Sequence, residues 1–185
     1  MQRNRITGVV AMILVSVVGI VGAEPAGATA SGSNGRIVYA RFQGYQAAIV
    51  SANPDGTGVV KLTNPPAKVF DLNPDWSPDG TKIAFERDTD VSQEIFTMNA
   101  DASDLHQVTF DGFPGDSDPA WSPDGTRIAV ERFDIPAGRD GLYILDADGS
   151  NFVQVTQSGA RGEYIEPQWS PGGTKLVFAI ASDTK

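Results

Sequence analysis

Acidic side chains carry most of the chemical potential of this chain. Asp88 and Asp90 follow Arg87 at a spacing that superficially resembles calcium-binding oxygens, and Asp116 and Asp118 form a second close pair. Asn73, Asp118 and Glu166 each precede the proline of a Pro-x-Trp element. A hard cation needs about six to eight oxygens from a defined loop, and Arg132-Phe-Asp134 preserves only part of the first pattern. Solvated turns are the expected role of Asp88 and Asp90. The residues at 73, 118 and 166 either cap loop backbone or gather at the mouth of a polar channel. Nucleophilic and acid-base chemistry lack their usual parts: there is no cysteine and no Gly-x-Ser-x-Gly elbow, and His106 is the sole imidazole. No catalytic residue, metal site or cofactor is expected. Trp76, Trp121 and Trp169 could stack a ligand, but their constant place before a turn argues for packing between neighbouring sheets, with a large loss of stability on replacement.

The elements that position these residues are read from a repeat. Trp-Ser-Pro recurs at 45 and 48 residues, a period that marks one supersecondary unit. Ile37-Val-Tyr-Ala-Arg41, Ile83-Ala-Phe-Glu-Arg87, Ile128-Ala-Val-Glu-Arg132 and Leu176-Val-Phe-Ala-Ile180 alternate in the period of strands. A second series runs through Ala47 to Ala52, Glu94 to Met98 and Leu142 to Leu145, and a third ends at Thr63, Thr109 and Thr156. Asn53-Pro-Asp-Gly56, Asn99-Ala-Asp-Ala-Ser103 and Asp146-Ala-Asp-Gly149 connect the last two series as hairpins. Pro78, Asp79 and Gly80, and again Pro123, Asp124 and Gly125, reverse the tryptophan strand into the next run. In the third copy Pro171, Gly172 and Gly173 have lost the Asp, so that turn has less side-chain support. With short strands through Pro74 to Ser77, Pro119 to Ser122 and Pro167 to Ser170, each unit becomes a four-stranded antiparallel blade.

Residues 1–23 combine Arg3 and Arg5, an apolar run and Val21-Gly-Ala23, which reads as a secretory signal cut near Ala23, an uncleaved anchor being the alternative. Residues 24–35 read as a flexible Ala/Gly/Ser spacer, and residues 36–182 as the repeats, with units at about 36–73, 74–118, 119–166 and 167–182. The formal charge is −9, and removal of residues 1–23 takes away two arginines and no acid, giving −11. Such a surface repels phosphate and anionic lipid, so neither nucleic acid nor a membrane partner beyond export is expected. Without cysteine an exported chain relies on sheet packing.

Asn73-Pro-Asp-Trp-Ser-Pro-Asp-Gly-Thr-Lys-Ile-Ala-Phe85 with Glu94-Ile-Phe-Thr-Met-Asn-Ala-Asp101, and Asp118-Pro-Ala-Trp-Ser-Pro-Asp-Gly-Thr-Arg-Ile-Ala-Val130 with Gly141-Leu-Tyr-Ile-Leu-Asp-Ala-Asp-Gly149, resemble the WD40-like (PD40) repeats of the periplasmic TolB family. The resemblance covers about residues 36–180 and implies an all-β, partial or small β-propeller of about three and a half blades. Similar repeats accompany prolyl-oligopeptidase-like peptidases, whose α/β-hydrolase domain has no counterpart here. The leading expectation is a secreted or periplasmic noncatalytic scaffold that binds an envelope or extracellular protein, with Tyr45, Phe113, Phe133 and Arg139 as partner-contact candidates. A ligand- or carbohydrate-binding, or enzymatic, propeller with a polar central cavity is the first alternative, and a fragment of a longer propeller the second. Open blade edges allow self-association.

Overall fold

The computed structural model describes residues 35–110, 112, 115–133, 140–156 and 163–181. These form thirteen strands in three sheets with no closed barrel, an open, partial propeller. The first unit has three strands, β1 (Ile37–Phe42), β2 (Ala47–Ala52) and β3 (Val60–Lys61). Two complete antiparallel meanders follow: β4 (Phe70–Trp76), β5 (Lys82–Asp88), β6 (Gln93–Asn99) and β7 (His106–Gln107), then β8 (Gly115–Trp121), β9 (Arg127–Phe133), β10 (Gly141–Asp146) and β11 (Val153–Gln154). The last unit pairs β12 (Glu163–Trp169) with β13 (Leu176–Ala181). A single parallel bridge, Ala47 to Phe70, joins the first unit to the second. The expected signal, residues 1–23, and all but the last residue of the expected spacer, residues 24–35, lie outside the described residues.

The innermost strands are longer than their sequence suggests. They begin at Phe70, Gly115 and Glu163, four residues before the expected starts, so the unit boundaries placed at 74, 119 and 167 fall inside a strand. Proline lacks a ladder donor, so within a sheet it ordinarily marks a strand start. Each of these strands instead carries a bulge, between Leu72 and Asp75, Ser117 and Ala120, and Ile165 and Gln168. The residue before the proline takes a left-handed conformation, with φ of 47° at Asn73, 49° at Asp118 and 56° at Glu166. The extra residue absorbs the missing donor and pairing resumes at the tryptophan.

Side chains of alternate residues then pack in opposite directions. Ile83, Phe85 and Met98 meet Ile49 of the first unit, with Trp76 against them. Ala84 and Ile95 face the other way, joining Trp121, Ile128, Val130 and Leu145 of the next unit. The tryptophans thus sit where one blade packs on another.

The turns are held by side chains as well as by backbone. Ser77 and Ser122 hydroxyls accept the N–H of Lys82 and Arg127 and donate to Asp79 and Asp124, whose carboxylates also accept the N–H of Thr81 and Thr126. These bonds, the serine hydroxyl first, hold both carboxyls below the usual range, Asp124 at about 2. Gly80, Gly125 and Gly173 all take positive φ. At the third turn Ser170 still accepts the Lys175 N–H at 3.1 Å, while Gly172 stands where the other turns place a carboxylate.

Trp121 is only 7% exposed. Substitution W121A is expected to destabilise the protein by about 3–5 kcal/mol, the range for deleting a buried large aromatic. W169A, at a half-buried position, costs less; urea denaturation of both variants checks the order.

Candidate functional site

Two regions concentrate chemistry: a polar seam along the innermost strands, and the loop end of the blades. The bulges build the seam. Asn73 donates from Nδ2 to Glu86 Oε2 at 3.0 Å within its own blade and to Asp118 Oδ1 of the next blade at 2.5 Å. The carboxylate of Asp118 accepts in turn from the backbone N–H of Glu166, and meets Glu131 of its own blade. Residues 73, 118 and 166, for which loop capping and channel clustering were both open, therefore link one blade to the next. Glu86 and Glu131 were not singled out in the sequence; they occupy matching places in β5 and β9 and are 3% and 2% exposed.

Electrostatics follow from this burial. Glu86 is pushed up to about 7 by burial first and by the charge of Asp118 second, although the Asn73 amide opposes the shift. Burial also raises Asp118, with the charge of Glu166 adding to it. Asp75 is raised to about 6 by burial while its carboxylate accepts the Trp121 N–H at 2.7 Å, a further bond between blades. The Trp169 indole donates to the Ala120 carbonyl at 3.1 Å, and Arg127 lies 4.8 Å over its ring. The buried indole nitrogens of Trp76 and Trp121 find no acceptor among the described residues.

Other candidates are engaged elsewhere. Asp116 is held bidentately by Arg132 at 2.8 Å, and Asp71 by Arg87 in the same way one unit earlier. Arg132 also lies over the rings of Tyr143 and Phe152, in a groove of about 450 Å³ between the two complete blades. His106 is exposed on β7. Among the described residues no group of three or more His, Cys, Asp or Glu is disposed to hold a metal.

The meander sends the Asp-rich and Trp-Ser-Pro turns to one end and the connections at 43–46, 62–69 and 89–92, with residues 108–110 after β7, to the other. That second end exposes apolar side chains at its tips: Phe42 63%, Tyr45 84%, Val91 77% and Phe110 72%. Phe133 is half-buried at the end of β9, whereas Phe113 and Arg139 lie outside the described residues. A lone valine among Thr, Asp and Ser carries no period, so the sequence signals Val91 only as an apolar residue at a hairpin tip.

Between about pH 4.5 and 7 the folded protein keeps a proton on Glu86 that a free glutamate, near 4.5, has lost. Stability therefore falls as pH rises through the window between 4.5 and about 7. E86Q is expected to be more stable than wild type at about pH 8, by roughly 1–3 kcal/mol, and little different at about pH 5. Urea midpoints at the two pH values test this.

Comparison with known proteins accounts for the architecture. Residues 24–185 match the PD40 family, the TolB beta propeller domain. A TolB homologue of Chlorobium luteolum is 35% identical over 133 residues, 72% of this chain and 28% of that protein. The chain spans 28% to 38% of the length of the curated relatives it matches. The crystal structure of TolB from Acinetobacter baumannii superposes with a TM-score of 0.67 at 18% identity, covering 82% of this chain and 36% of that one. An oligogalacturonate lyase from Vibrio parahaemolyticus shares the fold at a TM-score of 0.58 and 16% identity, over 78% of this chain and 42% of that one. The repeated blades, their Trp-Ser-Pro turns and the match over residues 24–185 make this chain a member of the PD40 family of TolB-type β-propeller domains.

Proposed function

We propose that this chain is a noncatalytic scaffold that docks an envelope or extracellular protein on the loop end of its blades. The family gives a periplasmic or secreted location. The observation that carries the reading is the asymmetry of the two ends. One is covered by Asp, Asn, Ser and Gly turns closed on their own backbone, and the other presents Phe42, Tyr45, Val91 and Phe110 to solvent. Aromatic area of this kind contributes strongly when a partner buries it and little while it stays in water. The Phe42 ring rests 6.3 Å from that of Phe70, and the Lys68 N–H donates to the Tyr45 carbonyl at 2.7 Å, so both tips are fixed before any partner arrives. The likeness to a lyase speaks for the fold alone, and the only imidazole is exposed on a rim strand.

Self-association is a second reading, favoured by β13. Its residues, Leu176 to Ala181, include no charge and no proline, and no strand among those described pairs its outer edge, whereas β3, β7 and β11 are two residues long. Uncharged edges of that length invite pairing with another chain.

A photo-crosslinking residue at position 45 or 110 is expected to trap a partner in the native compartment, and the same residue at position 55, on the turn end, is not. With the crosslinking residue placed at position 91 instead, the double variant Y45A/F110A should lose the adduct with its urea midpoint unchanged. Equal adducts from both ends, or none from the loop end, would falsify the docking face; a chain that crosslinks only to its own copies supports the second reading.

A further inference from the structure

Each complete blade ties its two innermost strands together with one ion pair. Arg87 in β5 stands opposite Asp71 in β4, and Arg132 in β9 opposite Asp116 in β8. Each guanidinium holds its carboxylate at two points, at 2.6 and 3.0 Å in the first of these blades and at 2.8 Å twice in the second. Beyond the bulge the tryptophan meets the isoleucine that follows the turn, Trp76 opposite Ile83 and Trp121 opposite Ile128. The last unit keeps Trp169 opposite Leu176, but has Tyr164 opposite Ile180 where the acid and the arginine would stand. Arginine and aspartate are thus kept together or lost together. The first unit departs from this rule. β1 has Ile37 and Arg41 at the places of Ile83 and Arg87, yet only β2 pairs with it among the described strands. Arg41 is exposed and meets no carboxylate among the described residues, and Ile37 is 48% exposed.

We propose that the free edge of β1 receives an extended segment of another protein carrying the pattern Asp-x-x-Pro-x-Trp, its aspartate on Arg41 and its aromatic ring on Ile37. The edge is six residues long and has no proline, so its backbone donors and acceptors can take an added strand. Its charge suits an acid. A groove of about 230 Å³ at Arg41 is lined by Gln43, Gln46, Ala48, Val50 and Lys61, with no acidic residue, in a chain whose formal charge is −9. Opposite charge draws a carboxylate to this spot and disfavours a basic segment. The planar fork of arginine grips a carboxylate at two points, which sets the register of the incoming strand. The chain's own two copies of the pattern are built into β4 and β8, and residues 1–34 contain one acid, Glu24, and no aromatic residue. Neither supplies the occupant.

A synthetic peptide with the sequence of residues 70–77, Phe-Asp-Leu-Asn-Pro-Asp-Trp-Ser, tests this when added to the whole chain. Saturable binding by fluorescence anisotropy of the labelled peptide is expected, with slowed amide exchange in β1. R41A should weaken it about tenfold or more, the effect of losing a charge-assisted pair, at an unchanged urea midpoint. R41D should abolish it, and a peptide with arginine in place of its first aspartate should restore binding to R41D. Absence of binding, equal affinity for wild type and R41D, or slowed exchange confined to other strands overturns the proposal. Binding that appears only after removal of residues 24–34 assigns the edge to the chain's own segment. A dimer of the free chain that R41D dissociates assigns it to a second copy; either result overturns the external partner.

Discussion

A proline in the middle of the innermost strand is the constraint from which the rest of the arrangement follows. It cannot donate to the ladder, so an unbroken strand through Pro74, Pro119 or Pro167 is excluded. The left-handed residue before each of them resolves the conflict by standing outside the pairing, and pairing resumes in time to deliver the tryptophan to the interface between blades. The conformation is unfavourable for a residue with a β-carbon, although Asn and Asp tolerate it best. In return the bulged side chain leaves the sheet and reaches the adjacent blade. The link from Asn73 to Asp118 follows directly from this geometry.

Each joint between blades therefore has two layers of different character. Near the tryptophans it is apolar, and the burial of Ile83, Phe85, Ile128, Val130 and their neighbours supplies most of the cohesion. Along the innermost strands it is polar and acidic, and hydrogen bonds there fix which residue meets which more than they add to stability. Within each complete blade, half-buried Arg87 with buried Asp71, and Arg132 with Asp116, follow the same logic: an ion pair taken out of water gains little over a well-packed apolar pair, yet removing one partner leaves an uncompensated charge. The guanidinium groups also cover aromatic faces, so they serve packing and charge together.

Much of the strand order and every turn could be read from the sequence, because both depend on neighbours in the chain. Alternation in Ile83-Ala-Phe-Glu-Arg87 and Ile128-Ala-Val-Glu-Arg132 names the strands, and Ser-Pro-Asp-Gly names the reversals. The start of the innermost strands is hidden because a bulge overrides what proline ordinarily signals. Glu86 and Glu131 were hidden for another reason: in an alternating strand a glutamate marks the solvent side, and here it points to the polar seam instead. Which residues meet across blades, such as Asp75 with the Trp121 backbone, depends on how sheets stack, and no local pattern encodes that.

The outermost strands are the thinnest part of the molecule. β3, β7 and β11 hold two ladder pairs each, and the chain beyond them is pinned by a threonine hydroxyl, Thr63, Thr109 or Thr156, accepting the N–H of Ile49, Ile95 or Leu142 at 2.9 Å, and by the N–H of Leu62, Val108 or Val155 donating back to the carbonyl of the same residue. Opening therefore runs radially: the rim frays in small local excursions while the hub stays shut, and amide exchange with solvent grows faster from hub to rim.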